Sequence, residues 1–501
     1  MSSILTLDQG TTGSTALVVH QDGTVLGRGY SEFSQHFPQP GWVEHDAEEI
    51  YEVTVAAARE ALAAAGEKPA GIGITNQRET VVLWDRATTR PVAPAIVWQD
   101  RRTATRCREL REAGFESEVR ERTGLMLDPY FSATKLEWLL HDAALIDRAR
   151  RGELAAGTID SWLVARLTGG RVHVTDHSNA SRTMLYNIED RCWDDTLLDQ
   201  FGIPSSLLPQ VVPSSGVVGE SDATGLGLSL PVAGLVGDQQ GALFGQGCVA
   251  AGQAKNTYGT GAFLLLNTGT ERARSDAGLL TTIACGPAGE PVYALEGSVF
   301  IAGAAVQWLR DGLQVIATAA ETEELARGVG DTGGVHFVPA FVGLGSPYWE
   351  PEARGMITGI TRGTGRAHLV RAALESMAFS STELLQAMLH DAQRADRSVS
   401  LDTLRVDGGA TTNDWLMQFQ ADIMDLPVER PDMVETTALG AAGLAGMALG
   451  VWSSVDDFLA GRRFVRFDPA MDRQERTAAL AGWRRAVEAA LSWARNSGQG
   501  S

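Results

Sequence analysis

Asp8 stands between an apolar, β-branched run that starts at Ile4 and a turn made of Gly10, Thr11, Thr12, Gly13 and Ser14, after which a second such run continues to Val19. Runs of this kind read as strands, and a glycine-containing loop between them reads as a hairpin. Glycine lets backbone approach a ligand, and threonine and serine place hydroxyls beside their N–H groups. Consecutive N–H groups in a tight turn form an anion-binding concavity. A carboxylate at its edge could hold a divalent cation through water. Phosphate chemistry is one reading of the stretch, and an ordinary surface hairpin is the other. Two further places carry charge at a strand's end. Gly71-Ile-Gly-Ile-Thr-Asn delivers Arg78 and Glu79, and Leu235-Val-Gly delivers Asp238 and Gln239 at the mouth of a helix. A lone carboxylate at a helix start is more often a cap.

The elements that must position these groups follow from pattern. Asp22-Gly23 marks a turn, so three antiparallel strands are expected at the start. Asp46 to Ala65 reads as a helix, with Asp46 as its cap, Glu48 and Glu49 in its first turn, and apolar residues at helical spacing. Val81 to Asp85 and Ile96 to Trp98 read as further strands, and Gln99 to Gly169 as mostly helical. Strands alternating with helices predict an α/β domain with a mixed sheet, whose ligands sit beyond the strands' carboxyl ends. The pattern then restarts. Ala254-Lys-Asn-Thr-Tyr-Gly-Thr-Gly-Ala-Phe is again strand, Gly-Thr turn and strand, half the chain away from the first hairpin. A duplicated domain is expected, with a boundary near 247–253. Leu404-Arg-Val-Asp leads to Gly408-Gly409, where backbone can lie flat against a nucleotide. Gly440, Gly443, Gly446 and Gly450 recur on a helical pattern, which predicts close helix packing.

Composition removes several classes. At 501 residues the chain is too long for one ordinary core. It is 44% apolar and 21% charged, hence globular, with a net charge of −20 and a pI near 4.9. A nucleic-acid footprint would need a basic cluster, and there is none. Lysine occurs only at Lys68, Lys135 and Lys255, and no Gly-Lys-Ser or Gly-Lys-Thr is present, so a Walker-type loop is excluded. Cys107, Cys192, Cys248 and Cys285 are far apart and form no Cys-x-x-Cys, which fits a reducing compartment. No signal-peptide pattern and no run long enough to span a membrane is seen, so a cytoplasmic protein without membrane insertion is expected. His173 and His177, four apart, could share a helix face and bind zinc, but their β-branched neighbours argue for extended chain.

Taken together, the motifs resemble the glycerol kinases of the FGGY carbohydrate kinase family. They are Asp8-Gln-Gly-Thr-Thr, Gly73-Ile-Thr-Asn-Gln-Arg-Glu-Thr, Ile96-Val-Trp-Gln-Asp-Arg-Arg, Gly237-Asp-Gln-Gln, Asn256-Thr-Tyr-Gly-Thr-Gly and Arg405-Val-Asp-Gly-Gly-Ala. Two broader family patterns recur, one from Tyr130 to Asp142 with only Asp142 off pattern, the other from Gly355 to Glu375. The resemblance runs from Leu5 to the last helix. It implies two ribonuclease H-like domains of the actin and Hsp70 ATPase type, 1–248 for glycerol and phosphate and 249–501 for nucleotide, with a ligand cleft between them. It implies ATP-dependent phosphorylation of glycerol to sn-glycerol 3-phosphate. Arg78, Glu79, Tyr130, Asp238 and Gln239 would bind the hydroxyls, and Trp98 and Phe263 would pack on the carbon chain. Asp238 would be the general base. Mg2+ would sit by Asp8 and Asp238. Thr11, Thr12, Gly13 and Thr260 would cradle the ATP phosphates, and Gly303, Gln307, Gly409 and Asn413 would meet the nucleoside. A homodimer or homotetramer is implied. Another polyol or ketose kinase of the family is the nearest alternative. A non-catalytic nucleotide-gated module is a second, against which the retained Asp8, Asp238 and Arg78-Glu79 argue.

The chain also departs from the family. Gly13 stands where a serine is common, and Gly225-Leu-Gly-Leu-Ser-Leu-Pro lacks the arginine of the loop through which some bacterial members sense fructose 1,6-bisphosphate, which implies insensitivity to that effector. The segment also lacks the histidine phosphorylated in some relatives. Thr15 stands where an arginine aimed at the ATP phosphates is common. Charge-assisted bonds to phosphate are strong, so Thr15→Arg is predicted to lower the ATP Michaelis constant. An unchanged constant would reject a role for the missing charge.

Overall fold

The computed structural model describes residues 2–497. The chain forms two compact units. The first comprises 1–249, 281–293 and 435–462, and the second 250–280, 294–434 and 463–501.

In the first unit, β1 (Ser3–Gln9), β2 (Gly13–His20) and β3 (Val25–Glu32) form the antiparallel meander that the turn residues predict. The helix α1 (Ala47–Ala65) follows, with the Asp46 side chain accepting the Glu48 N–H as its cap. Next comes β4 (Gly71–Asn76), buried at every residue. Later strands β5 (Ser215–Glu220) and β6 (Pro231–Gly237) complete a mixed sheet of order β5–β6–β4–β1–β2–β3. β4 is parallel to both β1 and β6. Their carboxyl ends therefore emerge along one edge, and β6 runs straight into α2 (Asp238–Gly245).

The second unit repeats this plan. β7 (Ala254–Tyr258) and β8 (Ala262–Gly269) make an antiparallel hairpin, as the restart predicts. Beyond them, β9 (Pro291–Val299), β10 (Leu404–Asp407), β11 (Val428–Pro431) and β12 (Phe464–Phe467) run in the order β9–β8–β7–β10–β11–β12 within a seven-stranded sheet whose remaining strand, Leu280–Cys285, lies beside β9. In both units the hairpin has two successive parallel neighbours and then an antiparallel edge strand. The 30-residue helix Arg366–Ala395 is the spine of this unit's core.

Several local expectations shift. The strand expected over 81–85 forms at Val82–Asp85, and the one expected over 96–98 is reduced to Ala95–Ile96. The mostly helical stretch 99–169 contains one strand, Leu154–Gly157. The extended chain expected around the two histidines is β only over Val174–Asp176, because Asp176 then caps the single helical turn His177–Ala180. The histidines do separate work: His173 Nε2 lies 2.9 Å from the Ala156 carbonyl oxygen, and His177 Nδ1 lies 2.7 Å from the Tyr186 hydroxyl.

Two segments from the second half of the chain, 281–293 and 435–462, belong to the first unit, the longer of them through one helix. The physical reason is the small-residue helix Thr436–Ala448, buried over ten of its residues. Its backbone lies against α2 and the sheet so closely that a Cβ on Gly440 would meet the Gly241 carbonyl oxygen at 1.9 Å, and one on Gly245 the Thr436 oxygen at 2.0 Å. Glycine weakens a helix by about 1 kcal/mol relative to alanine. Here the close approach outweighs that loss. Gly440→Ala is expected to destabilise the protein by about 1–3 kcal/mol through overpacking, despite its gain in helix propensity. Denaturation that shows Gly440→Ala at least as stable as the wild type would contradict this packing.

Candidate functional site

The carboxyl edge of the first sheet gathers the charged residues singled out in the sequence. Arg78 and Glu79 follow β4, and Asp238 is the first residue of α2, directly after β6. Arg78 Nε lies 3.1 Å from Asp238 Oδ1 and 3.9 Å from Glu79 Oε1, and its NH1 donates to Gln240 Oε1 at 3.1 Å. The side chains of Arg78 and Glu79 are 2% exposed, whereas that of Asp238 is 32% exposed. A buried guanidinium is tolerated only where carboxylates and acceptors surround it. Gly237 makes room for it, since a Cβ there would lie 2.8 Å from both Arg78 Cγ and Cδ. Asp238 does not cap the helix. Gly237 holds the cap position, and Asp238 Oδ1 accepts the Gln239 N–H at 2.7 Å within the first turn. The carboxylate therefore sits where the helix dipole favours an anion, with its other face left toward solvent.

An aromatic wall stands beside this cluster. Trp98 and Tyr130 meet edge to face at 5.6 Å, and Trp98 Nε1 donates to Thr11 Oγ1 at 3.0 Å. The predicted hydroxyl-binding and phosphate-turn residues of this unit are thus linked by direct contact. The turn itself closes through Gly10 N–H to the Gly13 oxygen at 2.9 Å, and Gln35 Nε2 holds the Thr11 oxygen at 3.0 Å. Thr15 pairs in register with Asp8 across the hairpin. Gln239 follows Asp238 in the first turn of α2, half-buried.

The pattern reading missed four residues. Arg182 is fully buried and donates from Nε to Glu79 Oε1 at 2.7 Å, with its guanidinium 5.7 Å from the Tyr130 ring centre. Gln240 accepts from Arg78. Lys135 is wholly buried and donates to the oxygens of Glu79 and Tyr130, and desolvation pushes its ammonium down to about 7. Glu435 precedes the small-residue helix and pairs with Arg28 at 3.8 Å. Lys135 had a signal: it is the lone cation of the helix Ser132–Leu139 and one of three lysines in the chain. Arg182 and Glu435 had none, because their partners are distant in sequence.

In the second unit, a cavity of about 540 Å³ is lined by Thr260, Gly303, Gln307, Gly409 and Asn413, with Thr322, Glu323 and Arg310 beside them. All five predicted nucleotide residues of this unit are brought together. Its volume suits a drug-sized ligand. Gly303 N–H bonds the Gly259 oxygen at 3.0 Å, so the β7–β8 turn and the helix start form one wall. Asn413 is partly committed: Oδ1 caps the helix Asp414–Met424 and Nδ2 donates to Thr322 Oγ1. Phe263 also belongs to this unit, half-buried on β8.

Residues 3–245 match the FGGY family of carbohydrate kinases, N-terminal domain, and 254–449 match its C-terminal domain. The chain belongs to the FGGY family of carbohydrate kinases. It is 54% identical over 498 residues to Glycerol kinase 2 of Thermotoga maritima, covering 98% of this chain and 99% of that one. It is 56% identical over 498 residues to the glycerol kinase of Aromatoleum aromaticum, with the same coverage. Among solved structures, Plasmodium falciparum glycerol kinase with ADP matches with a TM-score of 0.92 at 36% identity over 98% of both chains. A xylulose kinase from Lactobacillus acidophilus shares the fold at 19% identity, with a TM-score of 0.88 over the whole of both chains.

Asp8 lies at the carboxyl end of β1. Burial chiefly, and then the charges of Asp238 and Glu435, push its carboxyl up to about 7 from an ordinary 3.8. Carboxylates that raise one another in this way are relieved by a cation. Among the described residues no group of three or more His, Cys, Asp or Glu could hold a metal ion. The sign of the linkage is fixed: a folded value above the unfolded one means that stability is lost as pH rises from about 4 to 7. In magnesium-free buffer, Asp8→Asn should raise Tm at pH 8, with the gain closing toward pH 4. A lower Tm at pH 8, or the same gain at both pH values, would contradict the assignment.

Proposed function

We propose that this protein transfers the γ-phosphoryl group of ATP to a terminal hydroxyl of glycerol, giving sn-glycerol 3-phosphate. The observation that carries the reading is identity of 54–56% to glycerol kinases over 98% of the chain. The cluster at the end of the first sheet supports it chemically. Glycerol offers three hydroxyls on three carbons, and Arg78, Glu79, Tyr130, Asp238 and Gln239 supply charged and polar partners for them. Buried polar groups left unpaired by a substrate lacking one hydroxyl give strong discrimination. Trp98 offers an apolar face for the carbon chain.

Asp238 acts as the general base. Its carboxylate takes the proton of the terminal hydroxyl while that oxygen bonds to the γ-phosphorus and the bond to the ADP oxygen breaks. Phosphoryl transfer asks the protein mainly for positioning and charge neutralisation. The Arg78 contact at Asp238 Oδ1 fixes the carboxylate's direction. The turn of Thr11, Thr12 and Gly13 binds phosphate oxygens, and the cavity of the second unit takes the nucleoside. Asp8 and Asp238 would hold Mg2+, which would supply neutralisation of the phosphate charge when bound. Glycerol and phosphate residues thus fall mainly in the N-terminal part, 1–248, and nucleotide residues in 249–501. The resemblance supports a homodimer or homotetramer acting in the cytoplasm. Among the described residues no helix is long and apolar enough to cross a membrane.

The test is ADP release with glycerol present and absent, extended to dihydroxyacetone, erythritol and xylulose. Glycerol-dependent release with the highest kcat/KM for glycerol is expected. Release that ignores glycerol, or a higher kcat/KM for a ketose, would overturn the reading.

A further inference from the structure

Glu79 holds φ of 62°, a left-handed conformation that a residue with a Cβ adopts only when its surroundings over-determine it. The structure shows what determines it. Lys135 lies in the helix Ser132–Leu139 with its side chain fully buried. Helical side chains lean toward the N-terminus of their helix, and Lys135 Nζ reaches back to two main-chain oxygens, that of Glu79 at 3.1 Å and that of Tyr130 at 2.7 Å. Ser132 Oγ donates to the same Glu79 oxygen at 3.1 Å. An ammonium has three donors and no acceptor, and burying it is costly unless those donors are used. A methionine would fill the space without that cost, so packing alone does not account for a cation here.

The two residues it grips are the two whose side chains meet through Arg182, by the 2.7 Å bond to Glu79 Oε1 and the guanidinium near the Tyr130 ring. We infer that Lys135, assisted by Ser132, is a positioning residue: it locks the Glu79 peptide and the Tyr130 carbonyl in one arrangement, and so aims both side chains at the substrate's hydroxyls. The inference rests on the glycerol reading above and assigns the shape of that site to a residue that does not touch substrate.

The experiment compares Lys135→Gln, Lys135→Met and Ser132→Ala with wild type. The lysine variants are expected to raise the glycerol KM about tenfold or more while the ATP KM stays within about twofold. Ser132→Ala, the milder change, is expected to raise the glycerol KM alone by about threefold. The kcat/KM preference for glycerol over 1,3-propanediol, which lacks the middle hydroxyl, should shrink in all three. If the lysine variants do not fold, Ser132→Ala decides. Glycerol and ATP constants that move together, or an unchanged preference, would overturn the inference. A crystal structure of Lys135→Gln provides a readout independent of activity: a displaced Glu79 peptide supports the inference, and Glu79 still near φ 62° on Arg182 overturns it. A wild type without glycerol-dependent ADP release would sink the functional reading and leave this structural arm to decide the inference.

Discussion

The first unit depends on where one buried guanidinium can be neutralised. Arg78 has almost no contact with water, so its charge must be met inside the protein by Glu79, Asp238 and Gln240. Removing any of these leaves a buried cation short of a partner, which is far costlier than losing a surface pair. The constraint reaches the fold. β4 brings Arg78, β6 brings Asp238, and the parallel register that sets Gly237 opposite Asn76 brings both to the same edge. Gly237 leaves room for the arginine stem, and the short helix after it turns the Asp238 carboxylate outward. Arg182 bonds the same Glu79 oxygen that Arg78 approaches, so two arginines and two carboxylates form one chain of charge whose only half-exposed member is Asp238.

That exposure pattern separates roles. The groups that shape the site are buried and paired with one another, and the carboxylate of Asp238 is partly open. Asp8 adds a different kind of poise. Its carboxyl is raised by burial and by neighbouring acids, which is a state that a cation relieves. The second unit repeats the sheet plan and uses its own hairpin turn as the wall of a nucleoside-sized cavity. One topology therefore serves two tasks: a turn with a carboxylate beside it in the first copy, and a turn beside a cavity in the second.

Much of this was legible in the residues. The hairpin before and after Gly10-Thr11, the Asp46 cap, the strand leading to Arg78, the restart at Ala254 and the small-residue helix all follow from local pattern, because turn chemistry and periodicity are local properties. Asp238 was placed at a helix mouth, but its cap reading fails because Gly237 already fills that position. Of the five cavity residues of the second unit, Thr260 and Gly409 were marked by pattern, and Gly303, Gln307 and Asn413 only through resemblance to the family; spacing alone would not have joined Gln307 to Asn413. Arg182, Gln240 and Glu435 stayed hidden because their partners, Glu79, Arg78 and Arg28, are distant in sequence, and a tertiary contact leaves no trace in either neighbourhood. The split of the units was hidden for the same reason. The glycines from Gly440 announced close packing without saying against what: Gly440 lies on the backbone of α2, whereas Gly443 and Gly446 make room for the rings of Phe458 and Trp452.

If the Arg78–Asp238 contact is what makes the carboxylate competent, the two residues act as a unit. The direct measurement is a double-mutant cycle on kcat/KM for glycerol with Arg78→Lys, Asp238→Asn and the pair. Lysine keeps the charge and loses the planar fork. The account predicts strong coupling, with the double variant little worse than the poorer single one. A double variant whose loss equals the product of the two single losses would show that the residues act independently, and would contradict the account.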